Sequence, residues 1–310
     1  MRELSRDFLS DLKNEDGALY PILERVKLDH TLMLAIRSNY INIYYRGGNL
    51  LRINQTGKRP YQAFFDYKYN IFQKPLPVFA ANIQNQEDAQ TWVNGFPQLK
   101  ETMDFYFSKY NKSEREFQQL IARENNFSSI SNESEYFIAD IEFADSDLSA
   151  RFDLLAIRWL ATHRQDGRKC RAALMEMKYG DDALGGKAGL LKHLQDIDAI
   201  ISGQKYPVLL RTIETQFNQL LELELLKFHQ CSNGTRVKLT GEDKPEVIFI
   251  LANHNPRSTK LRSILEDPEI TAYEQSRRFD LKFYVSSFAG YGLHADGMLT
   301  LTEFRELLKS

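Results

Sequence analysis

Residues 151–180 read RFDLLAIRWLATHRQDGRKCRAALMEMKYG. Phe152 to Ala161 is apolar apart from Asp153 and Arg158, and Cys170 to Tyr179 is largely apolar until it ends in Glu176-Met177-Lys178. Apolar runs of this length, bounded by Asp-Gly and further glycines, predict two central strands. Asp166-Gly167 is a preferred two-residue hairpin turn. With that turn Gln165 faces Arg168 and Asp153 faces Gly180, a register that a longer turn would shift. Side chains alternate along a strand, so Glu176 and Lys178 share a face and Met177 points the other way. Facing residues of an antiparallel pair lie on one side of it, so Asp153, Glu176 and Lys178 project together. Charges placed in apolar strands are costly unless they are paired or bind metal.

An aspartate in one buried strand and a Glu-x-Lys triplet in the next resemble the catalytic core of the PD-(D/E)XK nuclease superfamily, which has the restriction-endonuclease-like fold. The matching residues are Asp153, Glu176 and Lys178, and the resemblance covers residues 113–250. It implies an α/β fold, with a mixed central sheet flanked by helices. It also implies hydrolysis of phosphodiester bonds in nucleic acid, DNA being favoured over RNA. The implied metal is Mg2+, with Mn2+ as the alternative, held by Asp153, Glu176 and the backbone carbonyl of Met177. Hard oxygen ligands suit magnesium, which polarises phosphate and lowers the pKa of a bound water. Lys178 would orient or deprotonate that water. Two other readings stand beside this one. Lys178 and its carboxylate neighbours can form a structural salt bridge, or the chain can be a non-cleaving module of the same fold that binds nucleic acid or a partner protein. No Gly-x-Ser-x-Gly, P-loop or dinucleotide glycine fingerprint points to a different hydrolase or transferase.

The 310 residues suffice for one large domain or two modest ones, and 43% hydrophobic with 26% charged residues is an ordinary globular composition. A net charge of −2 provides no global basic field, so any nucleic-acid surface must be local. Cys170 and Cys231 have no metal-ligand spacing, and Cys170 reads as a small buried residue. The N-terminal MRELSRDFLSDLK lacks the apolar core of a signal peptide, and no apolar run reaches the ~18 residues of a membrane span. The expectation is a cytoplasmic protein without a membrane partner, either a monomer or a homodimer.

Residues 1–110 read as a small N-terminal α/β unit and residues 111–310 as the nuclease-like domain. Residues 1–37 look helical, followed by a hairpin around Arg46-Gly47-Gly48-Asn49, a third strand in Tyr61 to Tyr69 and a helix from Asp88 to Tyr110. Tyr44-Tyr45-Arg46 is either a base-stacking and phosphate-gripping cluster or, more simply, strand packing. Ser113 and Glu116 have the spacing of a capping box. Phe117, Leu120, Ile121 and Glu124 share one helical face, which puts an acid on the core side of the helix. The resemblance implies an extra acid from a helix before the sheet, for which Glu124 is the preferred candidate, the alternative being a surface charge. In the strand Tyr136 to Phe143, Asp140 and Glu142 are either acids near a metal or the wet face of an outer strand. A helix from Lys187 to Ile201 places His193 off its apolar stripe. The resemblance implies a helix bordering the site whose polar residue touches substrate, a role for His193, and the default reading is a histidine on the helix surface. Residues 206–230 form a further helix. Glu246 to Ala252 and Leu281 to Ser286 are strands, and Leu299 to Leu308 is a terminal helix. The basic clusters Arg164, Arg168, Lys169, Arg171 and Arg257, Lys260, Arg262 either bind phosphates or are solvated charge.

Overall fold

Buried β-rich runs give this chain two sheets, each of five strands among the described residues. The computed structural model describes residues 2–57, 60–129, 131–186, 189–228, 235–252, 259–286 and 295–308. The chain divides into two compact units, Met1–Arg123 with Asn218–Leu226, and Glu124–Phe217 with Lys227–Ser310.

In the first unit, helices α1 (Arg6–Lys13) and α2 (Tyr20–Leu28) precede an antiparallel meander of β1 (Leu32–Ile36), β2 (Tyr40–Tyr45), β3 (Gly48–Gln55), β4 (Tyr61–Phe64) and β5 (Asn82–Ile83). The expectation of helix through residue 37 therefore fails at β1. All five of its residues are buried, and an apolar run with no polar side is satisfied better in a sheet than as a helix. The β2–β3 turn consists of Arg46 and Gly47, with φ of 49° and 73°. Positive φ at both central residues matches the right-handed twist of the strands that the turn joins.

The Tyr44-Tyr45-Arg46 cluster is used internally. Arg46 is held by Asp104 and Glu116 at 2.9 and 2.8 Å, and the Tyr45 hydroxyl donates to Asp104. The packing reading thus stands. Helix α3 (Gln86–Lys109) begins after Asn85, whose side chain accepts from the Asp88 N–H. In α4 (Ser113–Asn126), Ser113 Oγ donates to Asn111 and Glu116 takes Arg46, in place of the expected capping box. Gln119 of α4 accepts from the Gly47 N–H and donates to the carbonyls of Thr31 and Tyr44. These bonds fasten the first turns of α4 to the first unit, beyond the boundary expected near Tyr110.

The second unit has a mixed sheet in the order β10-β9-β8-β7-β6. Its strands are β6 (Tyr136–Asp145), β7 (Ala150–Arg158), β8 (Arg171–Tyr179), β9 (Glu246–Ala252) and β10 (Asp280–Ser286). The meander β6–β7–β8 is antiparallel, and β8–β9 and β9–β10 are parallel. Parallel neighbours need crossovers. The first uses α5 (Leu190–Ser202) and α6 (Tyr206–Glu222), the second α7 (Thr259–Leu265) and α8 (Pro268–Thr271). Helix α9 (Leu301–Leu307) follows β10, with a capping box formed by Thr300 and Glu303. No helix among the described residues is long and apolar enough to cross a membrane.

Every strand of this sheet contributes to one buried polar network. The Glu246 carboxylate receives Arg171 and, at 2.6 Å, the Tyr136 hydroxyl, with Arg158 at 3.6 Å. Arg171 also holds Asp280, which Lys244 approaches at 2.8 Å. Burial, and then the charge of Glu246, push the Tyr136 hydroxyl pKa up. Arg171 is therefore structural. So is Arg164, buried with its guanidinium on the carbonyls of Asn132, Ser134 and Trp159. The reading of Arg164 and Arg171 as solvated charge is thus overturned, because their partners come from strands and loops distant in sequence. In the second basic cluster, Arg262 donates to the Leu308 carbonyl, while Arg257 lies outside the described residues.

Candidate active site

The β7–β8 ladder pairs Arg158 with Arg171 and Leu154 with Met175. One step further, Asp153 stands opposite Glu176 and not Gly180. The expected two-residue turn at Asp166-Gly167 is replaced by a connection spanning 159–170, which contains a 3-10 turn at Ala161–His163. Trp159 explains the longer path. Its ring is buried against Phe217 and Phe228, and its Nε1 donates to the His163 carbonyl, so the chain leaves the ladder there. Asp166 and Gly167 turn the chain later, where the Asp166 carboxylate accepts from the Arg168 N–H and Gly167 packs on the Arg236 backbone. The shift in register is four residues, an even number, so every side chain keeps its face. Asp153, Glu176 and Lys178 remain on one side of the strand pair.

All three are nearly inaccessible, at 9%, 2% and 6% exposure. Asp153 Oδ2 accepts from the Met177 N–H at 2.8 Å. A strand residue directs its N–H and C=O to the same side, so the Met177 carbonyl also faces β7. Lys178 Nζ lies 3.9 Å from Glu176 Oε2, beyond hydrogen-bond length, so this is no tight structural ion pair. Burial, and next the charge of Asp153, raise the Glu176 pKa well above its ordinary value, while Lys178 pulls it down. Glu176 Oε1 is buried and has no hydrogen-bond partner. The contrast with Glu246 is direct: that buried carboxylate has donors on both oxygens, this one does not. An unpartnered buried carboxylate oxygen beside a second carboxylate suits a hard cation. Asp153, Glu176 and the Met177 carbonyl therefore fit the ligand set implied by the resemblance. Among the described residues no three His, Cys, Asp or Glu side chains gather as a metal-holding group.

His193, which by default belongs on the surface of its helix, joins this cluster. Its Nδ1 is 3.1 Å from Glu176 Oε2. It lies on the flank of the stripe formed by Leu190, Leu194 and Ile197, close enough to the sheet to reach a charged strand residue. That flanking position is the only signal in the sequence. His193 also lines a cleft of ≈ 660 Å³ between the start of β7 and α5, with Arg151, Ile200 and Lys205 among the other lining residues. Nothing in the linear pattern singles out Arg151 or Lys205.

The remaining candidate acids have different surroundings. Asp140 is fully buried, accepts from Gln216 Nε2 at 2.9 Å and from the Ile141 N–H, and is not on a wet face. A register shift between Ile138 and Asp140 puts Asp140 on the same side as Phe137, under α6. Strict alternation hides this, because a bulge inverts the pattern beyond it. Glu142 is half-buried, has φ 49° and occupies the ladder position opposite Asp153. Glu124 is half-buried on the last turns of α4, where its carbonyl accepts from Ser128. Cys170 is buried, and burial pushes its thiol up to about 12, as expected of an inert apolar residue. Cys231 lies outside the described residues. Comparison of the chain with protein-family profiles, with curated proteins and with solved structures returns no match.

Proposed function

We propose that the chain is a metal-dependent nuclease of the PD-(D/E)XK type, acting on nucleic acid and in the first instance DNA. The carrying observation is Glu176 Oε1, buried and without a partner beside Asp153 and Lys178. The topology supports the reading: α4, three antiparallel strands, two helices and then a parallel strand follow the order that the resemblance implies.

Asp153, Glu176 and the Met177 carbonyl would hold Mg2+, or Mn2+ in its place. Bound there, the ion supplies charge for the phosphate and a more acidic water. Asp153 is oriented by the Met177 N–H before substrate arrives, and His193 Nδ1 stands 3.1 Å from Glu176 Oε2. Lys178, free of a tight ion pair, orients the attacking water and offsets charge developing on the phosphate oxygens. Burial of all three groups excludes bulk water and strengthens these interactions. Glu124 is proposed as a further acid contributed by the helix before the sheet.

The test compares wild type with Lys178→Ala on labelled single- and double-stranded DNA and RNA, with and without magnesium. Cleavage that needs both the ion and Lys178 is expected. A folded wild-type protein that cuts none of the four substrates, while binding them equally with and without Lys178, would replace this proposal by the non-cleaving module.

A further inference from the structure

We infer that the cleft beside His193 receives a separated strand, so that the substrate of the proposed site is single-stranded nucleic acid and not an intact duplex. The inference rests on the nuclease reading and names its substrate class.

Access comes first. Asp153, Glu176 and Lys178 are too deeply buried for a phosphate on the convex surface of a double helix to meet them. His193 connects them to an opening, because its Nδ1 lies 3.1 Å from Glu176 Oε2 and its side chain lines the cleft. The volume of ≈ 660 Å³ lies within the range of sites that enclose small ligands, roughly 300–1,000 Å³. A cleft of this size admits nucleotide-sized groups, whereas a duplex, whose major groove alone is about 12 Å wide, would lie across its mouth.

The lining has the matching chemistry. Leu148, Ile200 and Leu209 provide apolar walls for the faces of bases. Arg151 and Lys205 place cations at the rim for backbone phosphates. Lys205 donates to the Asp147 carbonyl. The carboxylate of Asp196, also in the lining, is paired with Lys192. Arg151 is two residues before Asp153 on the same face of β7, about 7 Å along the strand. That distance is comparable to the separation of adjacent phosphates in an extended strand, so Arg151 would grip the phosphate next to the one being cut. A charged track with apolar surfaces for bases is how single strands are held without sequence readout.

The test uses the full-length Lys178→Ala protein, with anisotropy of fluorescein-labelled oligothymidylate and of a blunt hairpin duplex in magnesium. The single strand is expected to bind at least ~10-fold more tightly than the hairpin. Adding Ile200→Trp, which fills the cleft, or Lys205→Glu, which reverses its rim charge, should each weaken single-strand binding by ~10-fold. Melting temperatures confirm that both variants fold. Equal or tighter binding of the hairpin, single-strand binding insensitive to both substitutions, or no binding at all would overturn the inference. Wild-type cleavage is read in parallel. Single-strand binding in the cleft without any cleavage removes the hydrolytic reading and keeps the cleft. Equal cutting of duplex and single strand, unchanged by Ile200→Trp, removes the cleft and keeps hydrolysis.

Discussion

Replacing Glu176 by glutamine keeps the shape of the side chain and deletes its ionisation. The folded-state pKa of Glu176 is raised above its ordinary value of 4.5, by burial first and by Asp153 second. The folded protein therefore keeps a proton that the unfolded chain releases once the pH passes 4.5. Stability falls as pH rises through that window, and the loss stops when pH reaches the folded-state value. One proton gives a slope of at most about 1.4 kcal/mol per pH unit. Glu176 is 2% exposed, so solvent screening removes little of this. The substituted amide titrates nothing, and the other groups of the protein largely cancel when the two proteins are compared. In EDTA the melting temperature of wild type should drop relative to Glu176→Gln as pH increases from 5. Each kcal/mol corresponds to roughly 2–4 °C in a domain of this size. If Asp153 and Glu176 hold magnesium as proposed, the ion favours the ionised form and saturating magnesium should close the gap, with an affinity that rises with pH. Melting curves that stay parallel across pH, or a gap indifferent to magnesium, would refute the argument for a strained, cation-seeking carboxyl.

Asp153→Asn and Lys178→Ala should each lower the cleavage rate by roughly 10²–10³ with the fold retained, as judged by circular dichroism. Arg171→Ala leaves Glu246 buried without its principal cation and should destabilise by about 3–5 kcal/mol, against about 1–2 kcal/mol for Tyr136→Phe, both measured by urea titration. Gly167→Ala places a methyl group against the Arg236 carbonyl and should cost about 1–3 kcal/mol, read as a lower denaturation midpoint. Cys170, with a thiol pKa of about 12, should resist alkylation at pH 8 until the protein unfolds, as followed by peptide mass mapping.

Local pattern and parity were sufficient for the central strands and for the face shared by Asp153, Glu176 and Lys178. Apolar runs mark buried strands wherever they pair, and two-residue alternation survives any even shift of register. The partner opposite Asp153 was not legible, because Trp159 leaves the ladder to pack against α6 and lengthens the connection. The bulge that buries Asp140 and the helix approach that sets His193 on Glu176 were equally hidden. Each depends on residues distant in sequence meeting in space. β1 departs from the expected helix for a similar reason: Leu32–Ile36 is apolar on every side, and only pairing with β2 selects strand over helix. Sequence alone determined which residue types stand in which strands. Tertiary packing decided that Glu246 and Asp140 gain partners and that, among the described residues, Glu176 keeps a buried carboxylate oxygen open. The physical reason is that burial and hydrogen-bond satisfaction are properties of a packed neighbourhood and not of a linear pattern.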